Sequence, residues 1–132
     1  MILLDTHAAI WFTINSGLGK RSQTIADDAL ADNRLAISAV SFWEIAMLIA
    51  KGRLRALRSA SEQRGKVLAA GILELPLTGE IAILAGEIED LHGDPADRFI
   101  AATAIANYAT LMTADETLLD WRSKVKRLNA ER

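Results

Sequence analysis

Short apolar runs alternate with longer segments of helical composition along this chain. Five runs are too short for helices and predict strands, at Met1–Asp5, Arg34–Ser38, Ile72–Leu75, Thr110–Thr113 and Val125–Leu128. Strands that alternate with helices are typical of a parallel sheet covered by helices on both faces. The pattern therefore predicts an α/β fold with a central, mainly parallel sheet.

The segments between the strands carry helix start and stop signals. A helix is expected to begin around Ala8 and to stop at the break formed by residues 15–19, and others are expected over Ser22–Asp32, Ser59–Ala70, Thr78–Leu91, Asp94–Asn107 and briefly after Glu116. His92 and Gly93 mark the stop before Asp94, which is followed by proline as an N-cap and first helical residue often are. The run from Ser41 to Glu44 fits a capping box that heads a helix ending at Lys51-Gly52.

Composition narrows the class of protein. The 132 residues are about half apolar (51%) and suit a single domain over 1–132, with no linker-like stretch. The absence of cysteine excludes disulfides, zinc–thiolate sites and cysteine nucleophiles. Because no apolar run reaches membrane-spanning length and no signal-peptide pattern opens the chain, we expect a cytoplasmic protein without a membrane partner.

The net charge of −2 provides no general attraction for nucleic acid, but the basic residues are clustered. One cluster lies within residues 53–66 and consists of Arg53, Arg55, Arg58, Arg64 and Lys66. The other lies within residues 122–127 and consists of Arg122, Lys124, Lys126 and Arg127. For each cluster, a solvated surface and a phosphate-binding role are both open.

Four acidic residues stand where the predicted strands end or helices start. They are Asp5, Glu44, Asp97 and Asp115, and Asp94 accompanies the third. Ligands of open parallel sheets bind outside the carboxyl ends of the strands, where the strand order reverses. Carboxylates gathered there would repel one another unless a cation lies among them. The pattern therefore indicates a divalent-metal site.

Each acid also has a purely structural interpretation. Asp5, Asp94 and Asp115 can serve as N-caps, and Glu44 can serve as the N3 residue of the capping box. Oxygen-only ligands suit Mg²⁺ or Mn²⁺ better than Zn²⁺. The chemistry that follows is hydrolysis of a phosphodiester by metal-activated water, which requires no histidine base. The chain has only His7 and His92, and a packing or capping role is favoured for His7.

With these residues assembled, the chain resembles PIN domains and, among them, the VapC-type ribonuclease toxins of type II toxin–antitoxin systems. Four segments in the expected order carry the resemblance, namely Ile2–His7, Ser41–Ala46, Asp94–Ala104 and Leu111–Asp115. A fifth, Lys51–Leu54, is weaker, since the lysine common earlier in that helix is replaced by Leu48.

The resemblance implies a three-layer α/β/α sandwich with Mg²⁺ or Mn²⁺ in an acidic pocket. By motif position the catalytic acids would be Asp5, Glu44, Asp97 and Asp115, with Asp5, Asp97 and Asp115 as metal ligands. The accessory residues would be Asp94, Thr113, which orients the first aspartate, and Arg98, which either faces RNA or forms a surface ion pair.

The resemblance also implies a substrate and partners. Such endoribonucleases cleave structured RNA such as tRNA or rRNA and leave 5′-phosphate ends. They are neutralised by a VapB-like antitoxin, usually form homodimers, and form higher hetero-oligomers with the antitoxin. To be captured, the chain should expose some of the apolar surface formed by Trp11, Phe12, Phe42 and Trp43.

Three other classes of small α/β protein fit the sequence less well. A receiver domain needs an acidic pair after the first strand, and a haloacid-dehalogenase-like phosphatase needs an aspartate where His7 stands. A P-loop is excluded because there is no glycine-rich phosphate loop. The remaining alternative is a non-catalytic PIN-fold module that binds RNA or protein, against which the presence of all four acids argues.

Overall fold

A five-stranded sheet with every strand pair parallel forms the centre of the computed structural model, which describes residues 1–91 and 93–132. Its strands are β1 (Ile2–Leu4), β2 (Leu35–Ser38), β3 (Leu73–Leu75), β4 (Thr110–Thr113) and β5 (Arg127–Asn129). All five predicted strands are confirmed, with the largest shift in the boundaries of the last.

Helices connect the strands. Within the described residues they are α1 (Thr6–Ile14), α2 (Lys20–Ala31), α3 (Ala39–Ala50), α4 (Ala60–Ala69), α5 (Gly79–Glu87), α6 (Pro95–Ala106) and α7 (Glu116–Asp120). None of them, over this part of the chain, has the length and apolarity needed to cross a membrane.

Side chains of the central strands alternate between two hydrophobic cores, as strand geometry requires. Leu4 and Met112 pack with residues of α1, α2 and α4 on one face of the sheet. Leu3 and Leu111 pack with α6 and the segment around α7 on the other face. The chain is therefore a three-layer α/β/α sandwich, as the resemblance implied.

The strand order β3-β2-β1-β4-β5 places β1 at the centre, with β2 on one side and β4 on the other. The chain thus winds in one direction from β1 to β3 and returns to the other side of β1 with β4. In the register of β1 and β4, Leu4 lies opposite Met112, so the residues that follow the two strands meet at the carboxyl edge. This switch point is where ligands of such sheets bind.

Two predicted helix boundaries are wrong. The N-cap of α3 is Ser38, whose hydroxyl accepts from the Val40 amide at 3.2 Å, so there is no capping box at Ser41 and Glu44. The helix starts directly after β2 because Ser38, the last residue of the strand, has an extended backbone and a side chain that can cap the helix. Helix α5 ends at Glu87 rather than Leu91, since the Ile88 backbone is already extended. The stop predicted at His92 lies outside the described residues.

Gly19 allows the C-terminal segment to pack against the start of α2. The Gly19 amide donates to the Ala130 carbonyl at 2.9 Å, and the Arg21 amide donates to Arg132 at 2.8 Å. A methyl group on Gly19 would overlap the backbone of Glu131 and Arg132, which these two hydrogen bonds hold in place.

We therefore expect Gly19→Ala to lower the free energy of unfolding by about 2 kcal/mol, the usual cost of overpacking. Chemical denaturation measures the change. Gly65→Ala is the matched control, because a methyl group there meets nothing and replaces glycine inside α4, so it should stabilise by roughly 0.5–1 kcal/mol. Equal stability of the Gly19 variant and the parent protein would contradict this packing.

Candidate active site

Asp5 is the most buried acid at the carboxyl edge of the sheet, with 6% of its surface exposed. Its Oδ1 accepts from the Ala8 amide at 2.9 Å, so it caps α1, and its Oδ2 accepts from the Thr113 hydroxyl. Burial raises the pKa of Asp5, while the bonds from Thr113 and Ala8 oppose that rise. Asp5 can therefore cap α1 and also belong to a metal site, because each of its two carboxylate oxygens accepts one hydrogen bond and has a further lone pair.

Thr113, the last residue of β4, links Asp5 after β1 to Asp115 at the start of α7. Its hydroxyl donates to Asp5 and accepts from the Asp115 amide at 3.0 Å. Thr113 has no exposed surface, so water cannot replace these bonds. The arrangement fixes the Asp5 carboxylate relative to the backbone at Asp115, and it matches the orienting contact implied by the resemblance.

Asp94 and Asp97 occupy the start of α6. Asp94 is the N-cap and its Oδ1 accepts from the Asp97 amide at 3.1 Å, while Pro95 takes the first helical position. Asp97, in the first turn, caps nothing and is half-buried. Burial and the nearby carboxylates raise the pKa of Asp97 to about 7, despite the favourable helix dipole.

The carboxylates that raise the pKa of Asp97 come from four other elements or caps. In order of effect they are Asp94, Asp115, Glu44 and Asp5. Glu44 also raises the pKa of Asp5. The structure therefore brings all five sequence-predicted acids into one electrostatic neighbourhood at the switch point.

Glu44 and Asp115 reach this neighbourhood in different ways. Because α3 starts at Ser38, Glu44 lies in its second turn, away from any capping duty, and its side chain is partly exposed. Asp115 is the N-cap of α7 and accepts from the Leu118 amide at 3.0 Å through Oδ1. Its N-cap interpretation is thus correct, and its charge still acts on Asp97.

The acids fit a hydrated cation better than a closed protein cage. Within residues 1–91 and 93–132, no three His, Asp or Glu side chains stand together as a ready-made ligand set. Their donors are all oxygen, and no ion pair joins them to a basic side chain of the described chain. Mg²⁺ commonly keeps several waters and takes one or two carboxylates, so this looser arrangement suits it.

The raised pKa of Asp97 predicts how stability varies with pH without metal. Its ordinary pKa is about 3.9 in an unfolded chain, so the folded state binds the proton more tightly. The stabilisation of the folded state by this proton is present at low pH and is lost as pH rises towards about 7. With solvent screening of this half-buried group, the loss should be on the order of 1–2 kcal/mol.

Denaturation in EDTA from pH 4.5 to 8 measures this loss, and the difference between the parent protein and Asp97→Asn isolates it. Mg²⁺ should restore stability at pH 8 more than at pH 5 in the parent protein. A difference between the two proteins that does not change with pH would contradict the electrostatic coupling of the acids.

A cleft of about 190 Å³ opens beside Asp5 and Asp115. His7, Trp11 and Ala114 complete its lining. The His7 side chain is exposed, and its ring centre lies 6.3 Å from that of Trp11. His7 therefore borders the acidic site and packs locally beside Trp11, in agreement with the local packing role that was favoured for it. His92, the other histidine, lies outside the described residues.

Among the described residues, Arg98 has no hydrogen bond or ion pair with the acids or with any other carboxylate. Its guanidinium donates to backbone carbonyls at the end of α5 and in the segment that follows, namely Ala85 (2.9 Å), Leu91 (2.6 Å), Gly86 (3.4 Å) and Ile88 (2.8 Å). It thus terminates α5 and ties the segment leading to α6. The surface ion pair expected for Arg98 is therefore not formed in the described part of the chain, while its contact with RNA stays a prediction.

A buried hydroxyl pair near Asp5 was not anticipated from the sequence. The Thr6 hydroxyl donates to Ser41 Oγ at 2.9 Å and joins the start of α1 to the first turn of α3. This bond helps to position the helix that carries Glu44 against the strand end that carries Asp5. The sequence offers one weak signal for it, since each hydroxyl residue lies within three positions of a predicted site acid.

Apolar surface is exposed near the acids, as predicted. Trp43 is 48% exposed, Trp11 and Phe42 are partly buried, and only Phe12 lies in the core. The Arg64 guanidinium lies 6.0 Å from the centre of the Phe42 ring.

Comparison with known proteins identifies relatives along nearly the whole chain. The family model described as PIN domain matches residues 2–122. The chain is 32% identical to Ribonuclease VapC22 of Mycobacterium tuberculosis over 123 residues, which cover 92% of each chain.

Solved structures with the same fold come from toxin–antitoxin complexes. VapBC2 from Rickettsia felis, bound to a DNA fragment from its promoter, matches with a TM-score of 0.68 at 19% identity over 98% of each chain. DNA-bound VapBC from Salmonella typhimurium matches with a TM-score of 0.68 at 17% identity over 96% of each chain. At these identities the structural likeness concerns the fold.

Proposed function

The chain belongs to the PIN domain family, and from this we propose that it is a VapC-like endoribonuclease that depends on Mg²⁺ or Mn²⁺. The observation that carries the proposal is the convergence of five carboxylates at the switch point of the sheet, where burial and then the charges of the other four raise the pKa of Asp97 to about 7. Ionisable groups with strongly shifted pKa values cluster at functional sites, and a bound cation would offset the repulsion among these carboxylates.

Asp5, Asp97 and Asp115 are the proposed metal ligands. Of these three, Asp97 is the one whose carboxylate accepts no hydrogen bond from the described residues, which leaves both of its oxygens to bind the cation. Asp5 and Asp115 each keep an oxygen beyond their capping bonds. When bound, the cation supplies an activated water for in-line attack on phosphorus and offsets the charge of the leaving oxygen.

The chain's other groups position these ligands. Thr113 holds the Asp5 carboxylate, and Asp94 fixes the turn from which Asp97 projects. Glu44 adds negative charge opposite Asp5 and Asp97, which strengthens attraction for the cation and provides a further acceptor for water. Arg98 acts at a distance, by fixing the segment between α5 and α6.

We propose structured RNA such as tRNA or rRNA as the substrate, with 5′-phosphate ends as the product. A VapB-like antitoxin and a second copy of the chain are the proposed partners. The half-exposed Trp43, next to Glu44 in the sequence, supports capture by an antitoxin segment, because a partner that covers the indole gains the free energy of burying apolar surface. The relative from Mycobacterium tuberculosis is named a ribonuclease, which supports the reaction class.

Incubation of purified protein with total RNA tests the proposal. Cleavage is expected with Mg²⁺ or Mn²⁺ and should be absent with EDTA and in Asp5→Asn, which keeps the size of the side chain. Cleavage that persists in EDTA would refute the role of the metal. Metal binding with no cleavage of any RNA would favour the non-catalytic binding module.

A further inference from the structure

A groove of about 680 Å³ lies at the amino edge of the sheet, on the opposite side from the acids. Residues next to the strand starts line it, because the Met1 carbonyl accepts from Thr110 and the Arg34 carbonyl accepts from Ile2. Ile105, Ala109 and Val125 provide an apolar floor. We call this the amino-edge groove.

The amino-edge groove is positively charged in a chain whose net charge is −2. Arg34, Lys124 and Lys126 line it, all three are exposed, and no lining residue of the described chain is acidic. Arg64 and Glu74 form the ion pair found in the described structure, so none of these three cations is neutralised by a carboxylate there. The groove thus presents three positive charges that an anion could contact.

Tyr108 stands at the rim of the groove in a conformation that tyrosine rarely adopts. Its φ is 52° and it is 95% exposed. The other non-glycine residues with positive φ in the described chain are Asn15, Asn33 and Asp90, which are types that tolerate this region. Glycine would be the unstrained choice after a helix end, so the ring is held out to solvent at a cost.

Helix dipoles explain only part of this arrangement. The carboxyl ends of α2 and α6 lie near the groove, and cations there complement the dipoles. A dipole role needs no aromatic ring, and it does not account for a strained, exposed tyrosine among the cations. An exposed ring beside a positively charged groove is the arrangement with which proteins hold single-stranded nucleic acid.

We propose that the amino-edge groove binds a single-stranded RNA segment, with a base stacked on Tyr108 and phosphates against Arg34, Lys124 and Lys126. The choice of RNA rests on the proposed function. From Met1 to Asp5 the strand rise spans roughly 13 Å, so a folded RNA can reach both edges of the sheet. The groove therefore anchors the substrate at a distance from the cleaved bond.

Fluorescence anisotropy with a labelled uridine dodecamer tests this in EDTA, where no cleavage is expected. Tyr108→Ala should weaken binding about tenfold, as loss of one stacked base does, and Tyr108→Phe should bind like the parent protein. Tyr108→Gly should bind as weakly as the alanine variant and yet melt at a higher temperature, because glycine relieves the positive φ. That combination separates a binding role from a structural one.

A double variant with a charge-matched control tests the role of the cations in binding. The double variant Lys124→Gln and Lys126→Gln should weaken binding and reduce the salt dependence of the binding constant. The control is Arg53→Gln and Lys66→Gln, an equal charge change in the other basic cluster, which should change binding less. An RNA duplex should compete poorly, since its bases are already stacked.

Three results would overturn the inference. They are parent-like affinity in Tyr108→Ala and the Lys124/Lys126 variant, an equal loss in the control variant, or equal competition by the duplex. Failure of the proposed function is distinguishable, because it shows as absent metal-dependent cleavage by a protein that still binds the dodecamer through Tyr108.

Discussion

Replacing Asp97 with asparagine should slow metal-dependent RNA cleavage by about a thousandfold, the scale of losing one essential electrostatic group in an active site. Asp97 caps no helix, and its pKa of about 7 comes from burial and the charges of the other acids. Asparagine keeps the shape of the side chain and removes the charge that binds the cation. The measurement is a single-turnover cleavage rate with saturating Mg²⁺.

Asp94→Asn is the matched control for this prediction. It removes one negative charge from the same helix start, but asparagine caps helices as well as aspartate does, so the turn is kept. We expect a much smaller loss of rate. If Asp94→Asn and Asp97→Asn lost equal activity, the effect would be one of general charge and Asp97 would have no special role.

Thr113→Val is expected to have the second largest effect, on both stability and activity. Valine fills the same space without a hydroxyl, so Asp5 Oδ2 and the Asp115 amide both lose a buried partner. Loss of such partners costs about 1–3 kcal/mol each. Because only the Ala8 amide then holds the Asp5 carboxylate, cleavage should also fall by roughly 10–100-fold, as when a group that supports a metal ligand is removed.

Thr113→Ser separates the hydroxyl from the methyl group. Serine restores the donor and acceptor, so most of the activity should return even though a small cavity reduces stability. Denaturation curves and cleavage rates are measured on both variants. Full activity in Thr113→Val would show that Asp5 needs no orientation from β4.

Local signals predicted most of the fold because they act over a few residues. The strands are short apolar runs that no helix could use, and Asp94 before Pro95 marks the start of α6 from its own chemistry. The error at α3 arose because Ser38 and Ser41 are both good N-caps three residues apart. The end of β2, which only the assembled sheet determines, decided between them.

The site was predictable in outline for a topological reason. Carboxylates that follow strand ends must lie at one edge of a parallel sheet, so the sequence positions of Asp5 and Asp115 predicted their edge, and the pairing of β1 with β4 brings them together. Side-chain contacts between distant segments were not predictable. Arg98 on the α5 carbonyls and Thr6 on Ser41 depend on how helices pack, which sequence spacing does not encode.

Uptake of Mn²⁺, measured at pH 8 by the loss of the free-ion signal in electron paramagnetic resonance, tests the central claim most directly. That claim is that these acids hold a divalent cation although no three of them form a ready-made ligand set in the described chain. The parent protein should bind Mn²⁺, and Asp97→Asn should bind it far more weakly. Equal uptake by the two proteins, or no uptake by a protein that cleaves RNA, would contradict the account.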